Sequence, residues 1–149
     1  MSTTVSVRAA RSQDMAACAE ILNAWIDETP WMPRLHDREG VVKHYRTEVA
    51  ANRRTLVAVV ESAIVGFSTL SRDGFITALY VAPKFRRKGI GGLLLSRAKT
   101  ELGAEARLWT FQANLASQAF YARHGFVESN RTSGDNEEGL PDILLEWHS

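Results

Sequence analysis

With 149 residues, 45% of them hydrophobic and 23% charged, the chain can bury enough apolar surface to fold as one domain, and its composition excludes a disordered or fibrous protein. Eighteen Lys and Arg against seventeen Asp and Glu leave a formal net charge of +1, which excludes a global field drawing the chain onto nucleic acid or an anionic membrane. The lone Cys18 excludes an internal disulfide, and no run approaches the ~20 apolar residues of a membrane span.

The N-terminal stretch MSTTVSVRAARSQD has no apolar core of the kind found in secretion signals, so a cytoplasmic location is expected. Val5 to Arg8 alternates and predicts a first strand. Met15, Cys18, Leu22, Trp25 and Ile26 then recur at helical spacing behind Ser12 as the expected cap. In that setting Cys18 reads as a small buried hydrophobe. Thr29-Pro30-Trp31-Met32-Pro33 is expected to be a loop, since proline cannot donate to a helix and restricts the residue before it.

A second helix is expected from Asp37 to about Asn52, with Val41, Val42, Tyr45 and Val49 on its buried face. Thr55 to Glu61 and Ile64 to Ser71 are β-branched runs, read as a hairpin turning at Ser62-Ala63. The Arg72-Asp73-Gly74 turn feeds a further strand, Phe75 to Ala82. A basic loop follows Pro83, and Leu93, Leu94, Ala98 and Leu102 trace another helix, stopped by Gly103. Arg107 to Phe111 reads as a strand and Leu115 to His124 as a helix capped by Asn114 and stopped by Gly125. Strands at Phe126 to Ser129 and Ile143 to Trp147 close the chain, separated by the polar loop Asn130 to Pro141.

No repeat or linker interrupts this order, so residues 1–149 are read as one domain. The fold class is α/β in the α+β sense: a mixed, mostly antiparallel sheet of about seven strands flanked by about four helices.

Two stretches carry chemistry. In Leu79-Tyr80-Val81-Ala82-Pro83-Lys84-Phe85-Arg86-Arg87-Lys88-Gly89-Ile90-Gly91-Gly92 a strand runs through a basic, glycine-bearing loop into a helix. Gly89 and Gly91 let the backbone approach an anion, the helix start turns its amides and positive end toward it, and Arg86, Arg87 and Lys88 add charge. A solvated basic turn is the plainer reading of the same residues. Neither a Walker A loop nor a dinucleotide fingerprint is present. The second stretch is Asn114-Leu115-Ala116-Ser117-Gln118-Ala119-Phe120-Tyr121-Ala122-Arg123-His124-Gly125-Phe126. There Asn114, Ser117 or Gln118, and Tyr121 share one helix face. By itself Asn114 serves equally as a cap, and Tyr121 as a core aromatic.

Taken in order, R-x-x-G-x-G and then N-x-x-S-x-x-x-Y-x-x-x-G-F resemble the acetyl-CoA-binding core of the GNAT superfamily of N-acetyltransferases. The resemblance covers about the C-terminal two thirds of the chain. It implies acetyl-CoA as cosubstrate, with no metal. The main chain of Leu79, Tyr80 and Val81 would pair with the pantetheine arm. Arg86, Arg87, Lys88, Gly89, Ile90, Gly91 and Gly92 would hold the diphosphate, Asn114 and Ser117 would contact the pantetheine, and Tyr121 would lie beside the thioester sulfur.

The expected reaction is direct attack by an amine, with a backbone N–H of the Leu79 to Val81 strand meeting the oxyanion and Tyr121 protonating the leaving thiolate. Thr77, Trp109, Thr110 and Phe111 stand where some members of the family carry a carboxylate base. Water-mediated removal of the proton, or a base on another element, is then expected; Glu137, Glu138, His44 and Glu61 are the candidate bases, and Glu138 is expected to bind the acceptor amine. Trp31 is expected either to wall the acceptor cleft or to pack over the sheet edge. A small-molecule amine is the expected acceptor, with a peptide amine as the alternative; family habit suggests a homodimer. A catalytically silent acyl-CoA-binding domain and a nucleic-acid binder using Arg86 to Lys88 are the competing functions, the latter disfavoured by charge balance.

Overall fold

Among the described residues seven strands form, and they pair as two sheets rather than one. The protein, described over residues 4–149 by a computed structural model, places β1 (Val5–Ala9), β2 (Arg54–Val60), β3 (Ala63–Leu70) and β4 (Ile76–Val81) in the order β1-β2-β3-β4. The second sheet is β5 (Glu105–Phe111), β7 (Asp142–His148) and β6 (Val127–Arg131), in the order β5-β7-β6. Every strand pair in both is antiparallel. The parallel component expected of a mixed sheet is confined to one bridge, Phe75 with Arg107, where the Arg107 N–H donates to the Gly74 carbonyl at 3.1 Å. Beyond this bridge a cleft opens between β4 and β5. Each strand therefore presents an unpaired edge to it.

The helices are α1 (Met15–Glu28), α2 (Arg38–His44), the single turn α3 (Ala50–Asn52), α4 (Ile90–Leu102) and α5 (Leu115–Arg123). A π-helical segment, Tyr45–Val49, joins α2 to α3, so the three pieces form one continuous helical body. Its wider turn keeps Val41, Tyr45 and Val49, spaced four apart, on a single buried stripe. Strand alternation divides the interior in two. Val57, Phe67, Ala78 and Tyr80 face α1 and α2, while Leu56, Ala58, Leu79 and Val81 face the cluster that contains Leu94 and Leu95 of α4.

Two local expectations change. Ser12 opens a short 3-10 turn and makes no capping bond. The Asp14 carboxylate instead reaches back across that turn, accepting from the Arg11 N–H at 2.8 Å and pairing with Arg8 at 2.7 Å, and makes no capping bond to α1. The hairpin turns one residue earlier than expected, on Glu61 and Ser62. Their φ values of 48° and 69° give the left-handed pair whose twist suits a tight hairpin, so Ala63 already belongs to β3. Cys18 is fully buried. Burial, reinforced by the Asp14 charge, pushes its thiol up to about 12, which leaves no thiolate for nucleophilic work.

The hydrogen bond from Arg8 holds the buried Asp14 carboxyl below its ordinary range. Its stabilisation is therefore present above the unfolded value near pH ~4 and is lost as pH falls through the lowered native value. Asp14→Ala should cost about 1–3 kcal/mol at neutral pH and flatten the acid limb of the stability curve, as read by urea titration across pH.

Candidate active site

The cleft between β4 and β5 has a volume of about 890 Å³. Residues Ile76 to Val81 form one wall and Leu108 to Phe111 the other, with the start of α4 and the inner face of α5 closing it. Every residue expected to bind the coenzyme, except Lys88, lines this one cleft. Lys88 turns away, its ammonium 5.7 Å from the centre of the Phe85 ring.

The turn into α4 is built to receive an anion. Arg87 and Gly89 have φ values of 61° and 81°, so the chain bends twice through the left-handed region before the helix begins. Gly89 does so without strain. The first amide of α4 with an internal partner is that of Leu93, which donates to the Gly89 carbonyl at 3.1 Å. The N–H groups from Arg87 to Gly92 have no acceptor among the described residues and sit at the positive end of the helix. A Cβ on Gly91 would stand 3.4 Å from the Phe120 ring, so the helix start lies flush against α5. A diphosphate fits this set of donors, with the Arg87 side chain beside it.

Arg86 is used differently. The 3-10 turn Pro83–Phe85 folds it back, so that its Nε donates to the Val81 carbonyl at 3.0 Å and its guanidinium pairs with Glu28 at the end of α1. Its charge braces the loop against α1 instead of adding a free cation to the turn.

On α5, Asn114 caps the helix by accepting from the Ser117 N–H at 3.0 Å, which leaves its amide NH2 group without a partner among the described residues. Cap and ligand contact are thus compatible roles. The Ser117 hydroxyl bonds Thr110 of β5 at 2.9 Å and ties the helix to the cleft wall. Tyr121 is only 7% exposed, held edge-on between Phe120 and Phe126, yet its hydroxyl has no hydrogen-bond partner among the described residues. Its main chain is fixed as well, because the Tyr121 carbonyl accepts from both His124 and Phe126. Burial, and secondarily the nearby Tyr80, pushes the Tyr121 phenol up and keeps its proton on through neutral and mildly alkaline pH.

A second cavity of about 450 Å³ adjoins the first, sharing Trp109, Thr110 and Phe111 with it and reaching Asp135 and Glu138 on the loop before β7 and Asp142 at the start of that strand. Glu138 lies here and not in the main cleft. Burial first, and then the Glu138 charge, push the Tyr80 phenol up to about 12. Sequence reasoning used only the main chain of Tyr80. The alternation of β4 already placed its side chain on the opposite face from Leu79 and Val81, toward α1 and α2.

From Tyr80 an aromatic wall runs through Trp25 at 5.2 Å, Trp31 at 5.8 Å and Phe111 at a further 5.8 Å between ring centres. Trp31 therefore packs behind the cleft-lining Trp25 and Phe111 and lines neither cavity itself. Above it, His36 reaches Glu137 at 3.2 Å, joining the loop between α1 and α2 to the loop between β6 and β7. His44 is exposed on α2 and Glu61 sits in the hairpin turn; neither lines either cavity. No helix among the described residues is long and apolar enough to cross a membrane.

Comparison with known proteins supports this geometry. The model of the acetyltransferase (GNAT) domain matches residues 51–128. The chain is 25% identical over 144 residues, 95% of each protein, to the peptidyl-lysine N-acetyltransferase YiaC of Escherichia coli. The solution structure of apo YjaB from Escherichia coli superposes with a TM-score of 0.78 at 23% identity, over 97% of both chains. YncA from Salmonella typhimurium, solved with its cofactor acetyl-CoA, superposes with a TM-score of 0.76 at 20% identity, over 97% of this chain and 94% of that one. The matched core runs from the end of the first helical layer into β6 and holds both the amide-rich turn and the Asn114 to Tyr121 face, so this chain is a member of the GNAT family of N-acetyltransferases.

Proposed function

We propose that this enzyme transfers the acetyl group of acetyl-CoA directly to a primary amine in a ternary complex, with residues 1–149 acting as one domain. The observation that carries the reading is the nine-tenths-buried Tyr121, whose unpartnered hydroxyl meets a cleft bounded by two open strand edges and an amide-rich turn. Acetyl-CoA supplies the acetyl group as a thioester, activated toward amines. The amides from Arg87 to Gly92 and the Arg87 side chain hold its diphosphate. The open edge of β4 from Leu79 to Val81, with the Val81 carbonyl already taken by Arg86, and the Asn114 amide align the pantetheine arm.

Tyr121 donates its phenolic proton to the departing sulfur. Glu138 and Tyr80 hold the acceptor amine on the other side. The two strand walls offer Thr77, Trp109, Thr110 and Phe111 but no carboxylate, and Glu28, which also lines the cleft, is paired with Arg86, so the ammonium proton leaves through solvent beside Glu138. The His36 and Glu137 pair and the contact of Trp31 with Phe111 roof the acceptor side and favour a small amine. The likeness to a peptidyl-lysine acetyltransferase favours a peptide lysine as the second reading.

The direct test is a thermal shift with acetyl-CoA followed by acetyl transfer to a panel of amines and lysine peptides. Saturation at 100 times Kd should add about 2.7 kcal/mol to stability. Absence of both coenzyme binding and turnover would sink the reading. Glu138→Gln should raise the acceptor KM about tenfold and leave coenzyme affinity unchanged, as checked by steady-state kinetics and calorimetry.

A further inference from the structure

Asn23 has no exposed surface, in a helix whose other buried residues, Met15, Cys18, Ala19 and Ile21, are apolar. A buried amide is costly unless each of its polar atoms is bonded. Here each is. The Asn23 Nδ2 donates to the Glu20 carboxylate at 2.9 Å and to the Arg38 carbonyl at 3.3 Å, and its Oδ1 accepts from Arg34 at 2.9 Å. One side chain of α1 thus grips both the loop that follows the helix and the first residue of α2.

Arg34 closes the same knot from the loop side. Besides Asn23 Oδ1, its guanidinium donates to the Asn23 carbonyl at 3.3 Å, the Asp27 carboxylate at 2.8 Å and the His36 carbonyl at 3.2 Å. Four acceptors on helix and loop suit a planar fork of donors. Neither Asn23 nor Arg34 lines the cleft or the cavity beside it. What they hold is a loop that reaches the acceptor side through Trp31 on Phe111, at 5.8 Å, and His36 on Glu137, at 3.2 Å. His36 and Glu137 are each 66% exposed, and an exposed pair fixes little by itself.

We infer that Asn23 and Arg34 are positioning residues for the acceptor amine: by fixing the loop from Thr29 to Asp37 on α1, they hold Trp31 behind Phe111 and His36 against Glu137, and so set the acceptor side of the cleft. This rests on the acyl-transfer reading above and adds to it the residues that govern acceptor fit. Releasing the knot frees the loop and loosens the acceptor side. The coenzyme side, built from β4, the start of α4 and the face of α5, keeps its own supports.

The experiment uses the full-length enzyme and acetyl-CoA, with pentylamine and a capped lysine peptide as probe acceptors. Arg34→Gln and Asn23→Leu should each raise the acceptor KM about tenfold, with kcat within about twofold of the wild type and coenzyme Kd unchanged. Hydrogen exchange should quicken at the amides between Trp31 and Asp37 and stay as in the wild type in β2 and β3. If Asn23→Leu does not fold, Arg34→Gln carries the test, because the Arg34 side chain is part-exposed on the loop. An unchanged acceptor KM in Arg34→Gln, a coenzyme Kd that worsens in step with KM, or faster exchange throughout the core would overturn the positioning role while leaving acetyl transfer standing. Failure of the wild type to acetylate either probe, together with no stabilisation by acetyl-CoA, would remove both.

Discussion

Replacing Tyr121 with phenylalanine should lower kcat by about 10²–10³-fold while coenzyme affinity and Tm stay close to those of the wild type. The substitution removes one oxygen from a side chain whose packing comes from its ring, wedged between Phe120 and Phe126 at 5.1 and 5.3 Å. Because that oxygen has no hydrogen-bond partner among the described residues, its loss orphans no protein group, and the usual cost of breaking a buried bond does not arise. What disappears is a proton donor in the cleft. Burial raises the phenol, so the wild-type donor persists as pH rises past the ordinary tyrosine value, and any alkaline fall in kcat caused by Tyr121 should begin above pH ~10. Full turnover by Tyr121→Phe with normal coenzyme binding would remove Tyr121 from the proton transfer.

The largest loss of stability is expected from Phe67→Ala, about 3–5 kcal/mol. Phe67 lies in the middle of β3 with no exposed surface, edge-on to Tyr45 at 5.6 Å and tilted against Tyr80 at 5.8 Å. Deleting the ring leaves a cavity under α2 that a strand paired on both sides cannot collapse to fill. A loss of that size is a large fraction of the total stability of about 5–15 kcal/mol usual for a domain. Denaturant titration should show a lower midpoint, and the milder Phe67→Leu should fall between the two. Acceptor KM should rise in parallel, since Tyr80 loses the ring behind it. An unchanged midpoint would contradict this account of the core.

The parts of the site that could be read from sequence are those written in contiguous residues. The loop from Arg86 to Gly92 and the face of Asn114, Ser117 and Tyr121 are each set by a single strand-to-helix or strand-turn-helix unit, where spacing alone fixes what lies together. The split between β4 and β5 is another matter. It depends on which distant strands pair, and the local patterns of Ile76 to Val81 and Arg107 to Phe111 are the same whether these strands join or part. Arg86 illustrates the same limit: its charge was plain, but its engagement with Glu28 and the Val81 carbonyl depends on where the end of α1 falls. The second cavity escaped for a related reason, because Asp135 and Glu138 line it together with Trp109 and Phe111 of another strand.

The bridge from Phe75 to Arg107 pins the two sheets at one end of the cleft, while Leu56 of the first sheet, Leu94 of α4, and Leu108 and Ile143 of the second sheet belong to one apolar cluster. Prying the strands apart would tear that shared interior, so the gap behaves as a rigid slot. A thin, extended molecule can be threaded along it from the α4 end with little rearrangement of the scaffold, and the free energy of its contacts goes into affinity instead of into wedging the protein open.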